Sequence, residues 1–184
     1  MSYFTDESED LQRIRSNILK NRSTSLMNDR ERAKFMGLPE GCRMRENAKI
    51  LEFEKFKCGI NVWIGEGAIL DAQGGLEIGD FSQIGLYVMI WSHSSSYQAL
   101  TSQTGIDKSK IVYVPTKIGK NCFIAGHSVI GAGVTLGNRV IVLPNSYVDK
   151  DLPDNAIFGT NLEIRNLYKK IEILENEIIK LKNQ

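Results

Sequence analysis

Large aliphatic residues recur every six positions through residues 112–153 of the chain. The residues that open successive six-residue blocks are Val112, Ile118, Ile124, Ile130, Leu136, Val142 and Val148. A second set, mostly small, lies four positions after each opener: Thr116, Cys122, Ser128, Val134, Val140, Ser146 and Leu152. A period of six is neither the 3.6 of an amphipathic helix nor the alternation of a half-buried strand. It is the period of a parallel β-helix, in which each block forms one short side and a turn.

Three such blocks, about 18 residues, make one coil of a three-sided prism. Successive coils stack at the inter-strand spacing of roughly 4.8 Å. The openers are then expected to point inward and to form a ladder, with Ile118 on Leu136 and Ile124 on Val142. The small residues four places after each opener are expected to fit the tight corners.

The same pattern extends toward the N-terminus, where it begins near Cys58. Two extra residues, Leu76 and Glu77, interrupt it, and we expect this pause to bulge one corner. Between residues 95 and 111 the pattern stops and the sequence is polar. A solenoid accommodates such an insertion as a loop thrown outward from one corner. Loops of this length in a compact domain are usually functional or disordered.

The β-helix domain is assigned to residues 50–160, with flanks on both sides. In the N-terminal flank, residues 1–49, Leu11, Ile14 and Ile18 have helical spacing, which predicts one or two short helices. The flank is either a lid that helps to bind an acceptor, or a plug over the exposed edge of the first coil.

Residues 161–184 are predicted to form an amphipathic helix. Its apolar residues alternate in spacing between three and four, as in a coiled coil: Ile164, Leu167, Ile171, Leu174, Ile178 and Leu181. A helix with this seam either joins copies of the chain or packs against its own β-helix.

Composition and charge narrow the possible functions. Among 184 residues, 23 Lys and Arg balance 22 Asp and Glu to a formal charge of +1, so no basic field indicates nucleic acid as a partner. No apolar run approaches the roughly 20 residues of a membrane span, and the first residues lack the features of a signal peptide. The three cysteines have no metal-ligand spacing and fit reduced thiols. The expectation is a cytoplasmic protein without a membrane span.

Three segments resemble the hexapeptide-repeat acyltransferases, in particular the galactoside and maltose O-acetyltransferases and the sugar acetyltransferases of polysaccharide synthesis. The segments are IWSHSSSYQ at 90–98, VPTKIGKNCFIAGHSVIGAGVTLGNRVIV at 114–142 and VDKDLPDNAIFGTNLEIR at 148–165. The resemblance covers roughly residues 58–165. It implies an all-β core folded as a left-handed parallel β-helix, with an N-terminal helical flank and a C-terminal α-helix. The three-sided prism suggests a three-fold assembly, whereas the Ile and Leu seam of the C-terminal helix alone favours two strands. The larger domain decides between them, and a homotrimer is expected.

The resemblance further implies transfer of an acetyl group from acetyl-CoA to a hydroxyl or amine of a sugar or glycan. His93 matches the family histidine that acts as general base in direct transfer, without an acyl-enzyme. A neutral imidazole can accept the proton that the acceptor hydroxyl loses as it attacks. Gly126 matches the position, often Ser in the family, whose backbone N–H points at the thioester carbonyl and stabilises the developing oxyanion.

Three residues are candidates for acceptor binding by the same resemblance. Trp91 either stacks on a sugar ring or pantetheine arm, or packs against a neighbouring subunit. Phe123 stands where the family commonly has Trp. Asn121 matches a family Asn and is the kind of residue that closes a corner.

Coenzyme A is expected along the outside of the later coils, in a groove between two subunits. The main chain of Gly126, Ala132 and Ser146 is predicted to pair with the pantetheine amides. Lys150 and Arg165 match positions near the nucleotide end, where they would meet phosphates. Gly159 lies in a segment that has lost the family's proline, so the loop around the adenine is expected to differ.

Three other functions compete with this interpretation. A non-catalytic β-helix scaffold or binding protein would keep the repeats, although the excursion that follows His93 argues against it. A metalloenzyme like the γ-class carbonic anhydrases needs three histidine ligands, and this chain has two. No metal is therefore expected. Serine acetyltransferase shares the repeats and the cofactor, but neither its longer N-terminal helical domain nor its usual histidine-containing motifs are present.

Overall fold

A parallel β-helix of three sheets forms the body of the protein in the computed structural model, which describes residues 9–22, 26–103 and 105–182. The first sheet contains β1 Arg43–Met44, β4 Trp63–Ile64, β7 Gln83–Ile84, β12 Phe123–Ile124, β15 Ile141–Val142 and β17 Ile157–Phe158. The second contains β2 Lys49–Leu51, β5 Ile69–Asp71, β8 Met89–Ile90, β13 Val129–Ile130 and β16 Tyr147–Val148. The third contains β3 Phe56–Cys58, β6 Leu76–Ile78, β11 Thr116–Ile118 and β14 Thr135–Leu136. The predicted parallel β-helix is confirmed.

The chain visits the three sheets in turn, so three corners run along the prism. The first corner joins the first sheet to the second, the second corner joins the second sheet to the third, and the third corner returns the chain to the first sheet. Parallel hydrogen bonds connect each coil to the next, and the strands are only two or three residues long. Whatever departs from the coil must therefore leave at a corner.

The interior is the predicted ladder of aliphatic side chains. Ile118 pairs with Leu136 and Ile124 with Val142, and all four are buried. The residues four places after the openers are buried as well, so the prediction for them is confirmed. The fold is held by continuous apolar contact along the prism axis, because each coil covers the apolar edge of its neighbour.

One of the residues that open the six-residue blocks does not lie where the sequence pattern predicts. Val112 is 51% exposed and does not belong to the ladder, so the prediction that it points inward is wrong. Its backbone belongs to β10 Val112–Tyr113, which pairs antiparallel with β9 His93–Ser94 outside the prism. The regular coil resumes only at β11, where Thr116 pairs with Leu76.

The coils also differ in length. The predicted 18-residue repeat is found after the excursion, where Phe123 pairs with Ile141. Before the excursion the repeat is 20 residues, where Trp63 pairs with Gln83, and it shortens to 16 in the last coil, where Ile141 pairs with Ile157. The extra residues lie at the second corner, in a 3₁₀ turn at Phe53–Lys55 and in the turn at 72–75. Leu76 itself is buried in β6, so the bulge lies just before the predicted pause at 76–77. This corner therefore has longer turns than the other two.

The excursion between residues 95 and 111 leaves from the same corner. It contains helix α3, Ser96–Thr101, and a 3₁₀ turn at Lys108–Lys110. Pairing of β9 with β10 brings its two ends together. The excursion thus forms a wall beside the second corner.

Two helices precede the β-helix, α1 Glu9–Arg22 and α2 Asp29–Phe35. Helix α2 packs on β1 and buries Ala33 and the following Met36, so it covers the open end of the first coil. Helix α1 lies beside β2 instead, where Arg13 Nη1 is 2.6 Å from Glu52 Oε1. The flank therefore has two parts: α2 is the expected plug, and α1 lies at the second corner. The first eight residues are outside the described range.

The β-helix begins earlier than the predicted boundary at residue 50. Met44 in β1 is almost fully buried and pairs with Ile64, so it already belongs to the ladder. The sequence pattern missed this coil because its second-corner turn carries extra residues, which shift the period relative to Cys58.

The C-terminal helix α4, Thr160–Lys182, extends from the last coil. All six seam residues are between 42% and 70% exposed. The helix therefore does not bury its seam on its own β-helix, which was one of the two expectations for it. No helix within the described ranges is long and apolar enough to cross a membrane.

Replacing Ile124 with alanine should lower the free energy of unfolding by about 2–5 kcal/mol, because a fully buried rung is removed and the rigid ladder cannot close the cavity. Ile157→Ala, at a side chain that is 59% exposed, is the matched control and should cost less than about 1 kcal/mol. Urea denaturation at equal protein concentrations measures both. Equal losses would contradict the inward ladder.

Candidate active site

The second corner holds His93 against a buried carboxylate. His93 follows β8 and begins the antiparallel ribbon, and its side chain is 18% exposed. Its Nδ1 lies 2.6 Å from Oδ2 of Asp71, whose side chain is fully buried. Asp71 ends β5, one coil below His93. The two side chains form an imidazole–carboxylate pair with one side open to solvent.

Asp71 is fixed by backbone and side-chain donors. Its Oδ2 accepts from Ser92 N–H at 2.8 Å and from Ser92 Oγ at 3.3 Å, and its Oδ1 accepts from Gln73 N–H at 3.1 Å. A buried carboxylate requires such partners to offset its desolvation. These donors leave the carboxylate one orientation, which aims it at His93.

This arrangement determines which imidazole nitrogen is available. The carboxylate accepts a hydrogen bond from Nδ1–H, which fixes that tautomer and leaves the Nε2 lone pair free. The carboxylate also stabilises the positive charge that the ring acquires on taking up a proton. The pair is therefore suited to general-base chemistry on a weakly acidic hydroxyl or amine.

Two aromatic rings surround the pair. Trp91 approaches His93 edge-on, with ring centroids 6.3 Å apart, and Tyr113 stacks on it at 6.0 Å and 28°. Tyr113 lies opposite His93 in the ribbon register, so the ends of the excursion bring it there. Lys55 Nζ is 5.9 Å from the centroid of the Tyr113 ring.

Asp71 and Tyr113 were not predicted from the sequence. Most openers are followed by glycine, as at Ile64 and Ile84, whereas Leu70 is followed by Asp71 just before the bulged turn. Val148 is likewise followed by an aspartate, the exposed Asp149, so the repeat pattern alone did not single out Asp71. Tyr113 gave no signal in the sequence, because its contact with His93 depends on how the intervening excursion folds.

The structure distributes the other predicted site residues over the prism. Trp91, Ala132 and Lys150 lie at the second corner with His93, while Gly126, Ser146 and Gly159 lie at the first corner. Asn121 lies at the third corner with φ of 56°, as expected of a corner-closing residue. Phe123 faces outward from the first sheet, and Arg165 is on α4. A single chain therefore does not bring His93 and Gly126 together.

At the first corner, Gly126 and Ser146 differ in whether their backbone groups are already hydrogen-bonded. Among the described residues no acceptor pairs with the N–H of Gly126. In contrast, the N–H of Ser146 donates to Ser128 Oγ and its carbonyl accepts from Val129. The backbone N–H of Gly126 is therefore not committed to an acceptor among the described residues, whereas the backbone of Ser146 is already hydrogen-bonded.

Lys150 is occupied within the chain. Its Nζ lies 2.6 Å from Glu163 Oε1 and over the ring of Phe158. The hydrogen bond with Glu163 raises the pKa of Lys150 above its ordinary value. This exposed pair connects the second corner to the start of α4. Elsewhere in the described ranges, no three His, Cys, Asp or Glu side chains converge as a metal site would require.

Residues 115–150 match the family model described as "Bacterial transferase hexapeptide (six repeats)". This part of the chain therefore carries the six-residue repeat of that family model. The match covers the later coils, which have the regular 18-residue repeat.

A sequence relative matches a larger part of the chain. WcaF of Escherichia coli K12, provisionally named a colanic acid biosynthesis acetyltransferase, is 30% identical over 120 residues. That alignment covers 64% of this chain and 61% of WcaF, so the chain matches about three fifths of its relative's length.

Solved structures show the same fold. A hexapeptide-repeat-containing acetyltransferase from Vibrio cholerae superposes with a TM-score of 0.66, at 23% identity over 81% of this chain and 84% of that one. A galactoside acetyltransferase in complex with coenzyme A gives a TM-score of 0.63, at 20% identity over 85% and 80% of the two chains. The hexapeptide-repeat β-helix is thus common to all three.

Proposed function

We propose that this protein transfers an acetyl group from acetyl-CoA to a hydroxyl or amine of a sugar or glycan, with His93 as the general base. The observation that carries the proposal is the Asp71–His93 pair, because a buried carboxylate orients an accessible imidazole in the tautomer that can accept a proton. The names of WcaF and of the galactoside acetyltransferase bound to coenzyme A support the reaction class.

In the proposed reaction, His93 Nε2 takes the proton from the acceptor as its oxygen or nitrogen bonds to the thioester carbonyl carbon. Asp71 stabilises the imidazolium that forms. The N–H of Gly126 donates to the carbonyl oxygen as negative charge develops there. His93 then returns the proton to the departing sulfur, so the ring is neutral again at the end of the cycle. The acetyl group moves directly, and no residue of the chain is acylated.

The site is proposed to form between copies in a homotrimer. His93 and Gly126 lie at different corners of one prism, so a second copy must supply Gly126 to the His93 corner. Coenzyme A would lie in the groove between the copies, along Gly126, Ala132 and Gly159 and toward Arg165. Ser146 and Lys150 also border this groove. Ser146 N–H already donates to Ser128 Oγ and Lys150 already pairs with Glu163, so both have fewer free hydrogen-bonding groups for the ligand.

The seam of α4 supports self-association. It is exposed along its whole length and has Ile and Leu at alternating positions of the heptad. In a parallel coiled coil, Lys170 at a g position faces Glu175 at an e position of the next helix, which is an attractive pair. An Ile and Leu seam alone favours two strands, but a three-sided body that shares its corners favours three.

Ile171→Glu should weaken the assembly, because it places a charge in the seam. Ile173→Glu is the matched control, since Ile173 is exposed on the same helix but off the seam. Light scattering after size-exclusion chromatography should give three times the 20.7 kDa chain mass for the wild type and the control. The Ile171 variant should dissociate at a higher concentration than the control. A monomeric or dimeric wild type would contradict the trimer.

The reaction is tested by incubating the wild-type protein with acetyl-CoA and a panel of sugars, measuring release of the coenzyme A thiol and acetylation of the sugar by mass spectrometry. Turnover is expected with at least one acceptor. Binding of acetyl-CoA without turnover on any acceptor would favour the non-catalytic scaffold. A cytoplasmic location is part of the proposal, because acetyl-CoA is available there.

A further inference from the structure

A cleft of about 440 Å³ opens at the second corner, beside the Asp71–His93 pair. Four parts of the chain form it: helix α1, strand β2 with the turn that follows it, Gln73 in the turn at 72–75, and the excursion with its returning strand β10. Its volume lies within the range of small-molecule sites. Half of the residues that line it are aliphatic, among them Ile14, Ile18 and Ile111.

Tyr113 connects this cleft to the catalytic pair. Its ring lines the cleft and stacks on His93. Lys55 also lines the cleft, and its Nζ donates to the carbonyl of Gln73 at 2.8 Å. Because Gln73 N–H donates to Asp71, the same turn positions both the Lys55 cation and the carboxylate behind His93. A ligand held at Lys55 and Tyr113 would therefore be adjacent to the base.

Positively charged side chains outnumber carboxylates in the lining of the cleft. Arg13, Lys55 and Lys108 face one carboxylate, Glu52. Both oxygens of Glu52 are bound by Arg13, at 2.6 and 2.7 Å, so these two charges compensate each other. Lys55 and Lys108 remain as two positive charges that no carboxylate among the lining residues compensates. A neutral monosaccharide would leave both cations unmatched, whereas a phosphate or diphosphate would match them.

We propose that this cleft is the acceptor site and that its acceptor is a sugar carrying a phosphate group. Lys55 and Lys108 bind the phosphate, and the ring of Tyr113 packs against the sugar and so places it within reach of His93. The inference rests on the proposed acetyl transfer and names its substrate class. It also assigns α1 a role in acceptor binding. The phosphate belongs either to a sugar 1-phosphate or to a nucleoside diphosphate sugar.

Direct binding tests the inference without depending on turnover. Isothermal titration of the wild-type protein compares glucose, glucose 1-phosphate and a uridine diphosphate sugar. At least one phosphate-bearing probe should bind at least about tenfold more tightly than glucose, because a charge-assisted hydrogen bond contributes about 1.5–3 kcal/mol. Which of the two binds better identifies the source of the phosphate.

Lys55→Met and Lys108→Met should each weaken binding of the preferred probe by about tenfold or more. Lys57→Met is the matched control, because Lys57 is exposed on β3 and does not line the cleft, and it should leave binding unchanged. Equal binding of glucose, no binding of either phosphate probe, or an equal loss in the Lys57 variant would overturn the inference. If glucose is acetylated but no phosphate probe binds, the inference fails while the proposed function stands. Binding of a phosphate probe without acetyl transfer to any acceptor would refute the proposed function instead.

Discussion

Replacing His93 with alanine should lower kcat for acetyl transfer by about 10²–10⁴-fold while coenzyme A binding is retained. The loss is expected because Nε2 is the proton acceptor, and the neighbouring Trp91 and Tyr113 have no group that accepts a proton at neutral pH. Coenzyme A release gives kcat, and isothermal titration with coenzyme A checks that the donor site is intact.

His127→Asn is the control for this prediction. His127 is the other histidine, exposed at the first corner with φ of 58° and stacked on Tyr87. Asparagine tolerates this backbone conformation, so the fold should be preserved. Activity should change little. A large loss with His127→Asn and none with His93→Ala would reverse the assignment of the base.

Replacing Asp71 with asparagine should lower kcat by a comparable factor, on the order of 10²–10⁴-fold, with little change in KM. An amide N–H facing Nδ1 would donate rather than accept, so the ring proton would move to Nε2 and the base would lose its lone pair. Asp71 acts through His93 and is a positioning residue. Nitrogen NMR of labelled histidine should show the protonated nitrogen of His93 change from Nδ1 to Nε2.

Asp80→Asn makes the same chemical change at a partly exposed carboxylate. Asp80 pairs with Lys120 at 2.7 Å at the third corner, and its hydrogen bond with Lys120 holds its pKa below the ordinary value. Neither kcat nor the His93 tautomer should respond to this control. If Asp71→Asn lowers stability but leaves the His93 tautomer unchanged, the carboxylate is a structural group only.

The sequence allowed the ladder to be predicted because burial repeats with the hexad, as at Ile124 and Val142. It could not indicate the hand of the β-helix, which came from the family resemblance, since a hydrophobic period is the same for either hand. It also misread Val112, whose side chain fits the period although its backbone pairs with Ser94. The six-residue period reflects only which types of residue recur along the chain. A strand pairing between residues far apart in the sequence can still place such a residue outside the ladder.

The site was predictable only in part for the same reason. His93 was found because a local segment, IWSHSSSYQ, resembles the family's catalytic segment. Asp71 contacts His93 because one coil stacks on the next, and Tyr113 contacts it because the excursion folds back on itself. The residue spacing in the sequence predicts neither contact. The lining of the cleft combines α1, an early turn and the excursion, which are far apart in the chain and meet only in the folded protein.

A crystal structure with coenzyme A bound would give the distance from His93 Nε2 to the ligand sulfur. We expect a separation of roughly 6 Å, which leaves room for one acceptor atom between the base and the carbonyl carbon, in a groove where Gly126 of another copy faces the same sulfur. A sulfur remote from every His93, or a ligand enclosed by a single copy, would show that His93 is not the base of a site shared between copies.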